Sequence, residues 1–246
     1  SDLNLINEQG KLTDEIAAAI ERAVTITEVD DIYRPFRPHR KTRASVAREK
    51  GLEPLAELIL RQDDRYEPSL AVQAQAYVNE ELGVSSAEEA LAGACDIIAE
   101  QISDDAGFRK VIRKSTFDTG FLNTKNTKDE DSVYSQYYDY SEKIGKIPAH
   151  RILAINRGEK EEFLKVTITV EKGMILNYLC GEMIRNPKSE AVRYIEAAIL
   201  DGYDRLIAPS IEREIRNDLF DAASEGAIRL FADNLKHLLM QAPLKG

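Results

Sequence analysis

Seven positive side chains crowd into seventeen residues: Arg34, Arg37, Arg40, Lys41, Arg43, Arg48 and Lys50. Only Glu49 opposes them, so this block is +6 within a protein of net charge −10, and the remainder carries −16. Charge segregated in this way builds a local field that attracts phosphates, with Tyr33, Phe36 and His39 interleaved as possible stacking surfaces. A second reading has equal standing. The same arginines could neutralise acidic neighbours and hold the proline-bearing loop onto the fold through Arg–carboxylate pairs. Nothing assigns these side chains to base edges, so phosphate contact is expected ahead of sequence readout.

Catalytic patterns are absent. The chain has no GxGxxG after a strand, no Walker loop, no GxSxG and no HExxH. Its three histidines, His39, His150 and His237, fall in three different elements, so no metal centre and no cofactor is expected. Cys95 and Cys180 belong to no CxxC pair, which speaks against a disulfide framework or a structural zinc and suits a reducing, cytoplasmic setting. The acidic runs Glu161-Glu162 and Asp129-Glu130-Asp131 lack the burial that tunes a general acid or base and read as solvated surface. The chain is therefore expected not to be an enzyme and to take no small-molecule substrate. Tyr134, Tyr137 and Tyr138 share a helical spacing that favours a core face over a base-stacking platform, with Tyr140 close by. Arg213 and Arg216 beside Glu212 and Glu214 read as a salt-bridged helix surface.

The elements that would carry these residues are mostly helical. Thr13 caps an amphipathic helix through DEIAAAIERA, and Pro35 and Pro38 force the following stretch into an extended loop. ASVAREKG reads as a short helix ended by Gly51, and Pro54 as a first-turn proline of the next. Pro68 opens a helix expected to run to Gly83. Ser85 with Glu88 gives a capping-box pattern, and Ser103 or Asp104 caps a further helix through FRKVIRKSTF. The text from Thr116 to Asp131 reads as loop or a short exposed strand, and DSVYSQYYDY as helix. FLKVTITV alternates at period two and is the clearest strand. HRILAIN before it is left open between a helix and a hairpin partner. From Lys188 the pattern is helical with an interruption at Ala208-Pro209, after which a helix from Ser210 to Ala242 would be on the order of 45–50 Å long and bridge between domains. No run reaches the roughly 20 apolar residues of a membrane span.

The expected fold is thus mainly α: a multi-helix scaffold with helix-turn-helix-like pieces, one short β strand or hairpin, and a long C-terminal bridging helix. Residues 1–65 would form a helical region with the basic loop, 66–187 a helical region with the β element, and 188–246 the region of the long helix. The missing initiator Met and the ending LKG suggest a piece of a longer chain.

Three stretches resemble the Tex family of bacterial transcription accessory proteins in the same order: DIYRPFRPHRKTRASVAREKGLEPLAELI, YYDYSEKIGKIPAHRILAINRGEKEEFLKV and LIAPSIEREIRNDLFDAASEGAIRLFADNLKHLLMQAPLKG. The family pattern matches at Arg37, Arg40, Lys41, Arg43, Arg48 and Lys50. By that resemblance the chain is the helical scaffold of a nucleic-acid-binding, non-catalytic factor. Its partners would be RNA or DNA, reached through the full-length protein, and the transcription machinery. The resemblance further implies helix-turn-helix sequence before Ser1. After Gly246 it implies an RNase H-like domain of the YqgF type, helix-hairpin-helix modules and an RNA-binding OB-fold. The alternative is an interdomain or protein-interaction scaffold that makes no nucleic-acid contact of its own.

Overall fold

The structure is a computed structural model that describes residues 13–34 and 41–240. It is mainly α with one small sheet. In chain order the helices are α1 (Asp14–Arg22), α2 (Ile26–Tyr33), α3 (Arg43–Glu49), α4 (Glu53–Arg61), α5 (Leu70–Ala74), α6 (Ala87–Asp104), α7 (Ala106–Thr119), α8 (Ala149–Lys160), α9 (Lys172–Met183), α10 (Val192–Asp201) and α11 (Ala208–Met240). The strands are β1 (Phe121–Asn126), β2 (Asp139–Lys143) and β3 (Leu164–Thr169). Two compact units result, one of Ser1–Ile112 with Lys172–Pro209, the other of Arg113–Glu171 with Ser210–Gly246.

The first unit is organised by α6, whose Ala90, Ala94, Ile97, Ile98 and Ala99 are fully buried. Against it pack α3, α4, α5, α10 and the turn that follows α10. Small residues set how closely they approach. A Cβ on Gly93 would sit 2.4 Å from Leu52 Cδ1, and one on Gly202 would sit 3.0 Å from the Ala99 carbonyl oxygen. Buried polar groups are paired: the Arg109 guanidinium donates to Asp31 at 2.7 Å with both side chains sealed from solvent. Gln62, in the left-handed conformation at the end of α4, donates to Met183 O and accepts from the backbone N–H groups of Arg185 and Asn186, tying α4 to the end of α9.

The second unit holds the sheet, antiparallel throughout in the order β2-β1-β3. Leu122, Thr124, Leu164 and Val166 point to its buried face, and α8 packs on β3. A Cβ on Gly158 of α8 would stand 2.7 Å from Leu164 Cδ1, so glycine permits that contact. The outer edge of β3 is closed at one point by Glu212 of α11, which accepts from the Ile168 N–H at 3.2 Å. Arg113 makes a two-bond pair with Glu214, and Arg216 pairs with Glu159. The charges expected to bridge along one helix surface therefore link different elements.

Several sequence expectations change here. HRILAIN, left open above, is helix within α8, and the partner of β3 is β1, which lies in the text read as loop or a short exposed strand. The tyrosine stretch is not a helix: a 3-10 turn at Ser135–Tyr137 leads directly into β2, while Tyr134 and Tyr137 are core residues as expected. A 3-10 turn also places i and i+3 on one side, which is why helical spacing misled. The helix expected from Pro68 to Gly83 divides into α5 and two 3-10 turns, where the Asn79 side chain accepts from the N–H groups of Glu81 and Leu82. The α6 cap is Ser86, one residue later than expected, and α7 is capped by Asp105, which accepts from Phe108 N–H. Pro209 does not interrupt the last helix. Residues Gly202–Ile207 form a π turn in which Ala208 N–H bonds to Tyr203 O, and this wider turn makes room for a ring that would clash with the carbonyl four residues earlier in regular α geometry. The apolar spacing of the sequence predicts a stripe along α11 through Ile211, Ile215, Leu219, Ala222, Ala227 and Leu230; Ile211 and Ile215 are buried and Leu219 is half-buried, but Ala222, Ala227 and Leu230 are exposed.

Candidate nucleic-acid interface

The basic block begins at the end of α2 and runs through α3. Arg37 and Arg40 lie outside the described residues, together with the proline loop and its Phe36 and His39. The start of α3 is fixed by Thr42, whose hydroxyl accepts from Ser45 N–H at 3.0 Å while Ser45 Oγ accepts from Thr42 N–H at 2.8 Å. That reciprocal cap orients everything after it. The Thr42 hydroxyl also donates to Glu100 Oε2 of α6 at 3.2 Å, and the same oxygen lies 3.4 Å from Arg48. Arg48 additionally faces Glu53 at 3.5 Å.

Lys50 is likewise taken up inside the fold. Its ammonium donates to Gly83 O at 2.7 Å and lies 3.4 Å from Glu89. The Glu89 carboxylate is pulled down to about 2, mainly by the Ser85 backbone N–H, then by the Ser85 hydroxyl and Lys50. Half-buried Arg48 and Lys50 thus follow the structural reading of the block. Lys41 and Arg43 are exposed at the start of α3.

Beside them opens a cleft of about 350 Å³ lined by Arg34, Arg43, Arg205, Asp96, Glu100 and Asp104 among others. Its charges largely offset each other. Arg205 chelates Asp201, with its Nε 3.0 Å from Oδ1, and stands 3.6 Å from Asp96. The Asp201 carboxyl is held below its ordinary range, chiefly by the Arg205 hydrogen bond, whereas burial pushes Asp96 up. One wall of the cleft is thus an internal ion network, and Arg43 lines it from the exposed start of α3. The acids that claim Arg48 and Lys50 are 52 and 39 residues away in sequence, and no local signal could have named them.

Among the described residues no group of three or more His, Cys, Asp or Glu could hold a metal ion. The Cys95 thiol is pushed up to about 12, first by burial and then by Asp96 and Asp201, which keeps it protonated and unreactive. Among the same residues no helix is long and apolar enough to cross a membrane.

Fold and site together define a helical scaffold region with a charge-rich surface. A family model described as Tex central region-like matches residues 65–231, and the chain belongs to the Tex family. It is 48% identical over 250 residues to the protein YdcI of Bacillus subtilis, covering 99% of this chain and 34% of that one. It is 33% identical to the transcriptional accessory protein Tex of Neisseria gonorrhoeae, covering 98% of this chain and 32% of that one. The human S1 RNA-binding domain-containing protein 1 is 28% identical over 265 residues, covering 100% of this chain and 26% of that one. The chain spans about a third of the length of its bacterial relatives.

Proposed function

We propose that this chain is the non-catalytic scaffold region of a nucleic-acid-binding transcription accessory factor, and that it contributes phosphate contacts from the exposed part of its basic block. The observation that supports this is the division of the block. Arg48 and Lys50 are consumed by Glu100 and Glu89, while Lys41 and Arg43 remain on the surface. The names of the relatives, one a transcriptional accessory protein and one containing an S1 RNA-binding domain, agree with such a role. The work would be done in the cytoplasm beside the transcription machinery.

Salt titration tests the reading. Four phosphate contacts, from Arg37, Arg40, Lys41 and Arg43, give a log–log slope of about −3 on single strands, or about a 50-fold loss of affinity between about 50 and 200 mM salt. Replacing all four by Ala should flatten that slope. A chain that binds no nucleic acid at about 50 mM salt sinks the proposal. A second reading, an interdomain scaffold without nucleic-acid contact, draws on the pairing of Arg48 and Lys50. It predicts that the four-fold variant changes no binding constant for nucleic acid.

A further inference from the structure

The sheet of the second unit has one face covered and one face open. Leu122, Thr124, Leu164 and Val166 are buried on the covered face, so the intervening positions of all three strands point the other way. The register aligns them in rows: Lys143 opposite Phe121 opposite Thr169, and at the other end Asp139 opposite Lys125 opposite Lys165. Lys125, Lys143 and Lys165 are all exposed, and among the described residues none of them is in an ion pair. Asp139 is the one carboxylate in these rows, which leaves a net of +2 on a chain that is otherwise acidic.

Phe121 is 44% exposed at the centre of its row, a costly place for a ring that only filled space. A second ring, Phe117, is 42% exposed and lies 3.6 Å from where a Cβ on Gly145 would stand, two residues beyond Lys143. Between the rows Ser141 donates to Asn123 Oδ1 at 2.7 Å and Asn123 Nδ2 donates to Thr169 Oγ1 at 2.8 Å. These bonds hold the middle of the face flat and polar. Positive charge left over on an otherwise acidic chain favours a polyanion over a protein partner at this face. An exposed aromatic ring on an antiparallel sheet, flanked by lysines, suits an unstacked base and its phosphates. The hydroxyl and amide row suits a ribose 2′-hydroxyl.

The geometry points to the open face of the β2-β1-β3 sheet as a docking surface for single-stranded RNA, with Phe121 stacking on a base and Lys125, Lys143 and Lys165 meeting phosphates. This extends the nucleic-acid reading above to a second surface and rests on it only for the class of ligand.

The test uses the full 246-residue chain and a fluorescein-labelled oligouridylate of about twelve nucleotides, near the single-strand site sizes known for sheet-based binders. Replacing the three lysines by Gln should lower affinity at least about ten-fold and reduce the salt slope by about 2. Phe121→Ser should lower affinity by about ten-fold with the slope unchanged, and Phe121→Trp should restore it. Every altered side chain is exposed or half-exposed, and circular dichroism checks that the fold is kept. Cross-links from 4-thiouridine in the strand should map to peptides containing Phe121 or Lys165. Unchanged affinity and slope in the lysine variant overturn the proposal, as do cross-links confined to other segments or stronger binding of a DNA strand or a duplex. Lys41→Gln with Arg43→Gln forms a separate arm. If only that arm loses affinity, the sheet proposal fails and the reading of the basic block stands; if only the sheet variants do, the reverse holds.

Discussion

Asp31 and Arg109 show how much one side chain can decide in this protein. Both are sealed from solvent and meet at 2.7 Å, so removing the carboxylate would take a short ionic hydrogen bond from a guanidinium held in a dry site. Asp31→Ala should therefore cost about 3–5 kcal/mol, read from urea unfolding, and Asp31→Ala with Arg109→Met should recover most of it. Glu89 acts differently because it is open to water. Its folded value near 2 lies below the ordinary carboxylate value, so the ionised form is the one the fold favours. Its stabilising effect is complete above about pH 4.5 and fades as pH falls towards 2. Thermal melts across that window should slope less in Glu89→Gln than in the parent. The raised Cys95 thiol gives a third outcome: at pH 8 iodoacetamide should leave Cys95 unmodified in the folded chain and label it once the chain is unfolded in urea.

At the scale of elements, helix boundaries were the readable part. Thr13, Gly51 and Pro54 are local chemistry, and each performs the role its type implies. The sheet was readable only at β3, whose period-two alternation is local, because the pairing of its strands is not. β1 buries only Leu122 and Thr124, and its remaining residues look like loop until β2 and β3 are placed on either side. With β1 unseen, Lys125, Lys143 and Lys165 could not be recognised as neighbours, and the charge search stopped at the one block contiguous in sequence. The π turn escaped for a related reason, since Pro209 signals a break and only the packed structure shows the break absorbed. Gly202, at the start of that turn, faces backbone instead of a movable side chain. Gly202→Ala must push α10 and α6 apart and should cost about 1–3 kcal/mol in urea unfolding.

For the molecule as a whole, the acidic total confines any polyanion to the few places where cations are left over. The two candidate surfaces can be counted separately by salt. Contact through the basic block alone gives a slope of about −3, and contact through both surfaces about −5. Anisotropy titrations at several salt concentrations read this directly, and a slope of about −5 that drops to −3 in the sheet variant would place both on one strand. Neither unit is one continuous stretch of chain: the first is left at Ile112 and resumed from Lys172 to Pro209. Made from the N-terminus on a ribosome, the first unit must wait for residue 209, with the strands of the second already synthesised in the interval. Its core helix α6 therefore spends that time without α10 and the turn after it, the elements that meet it at Cys95 and Ala99. The order of synthesis makes the early chain dependent on its own later half.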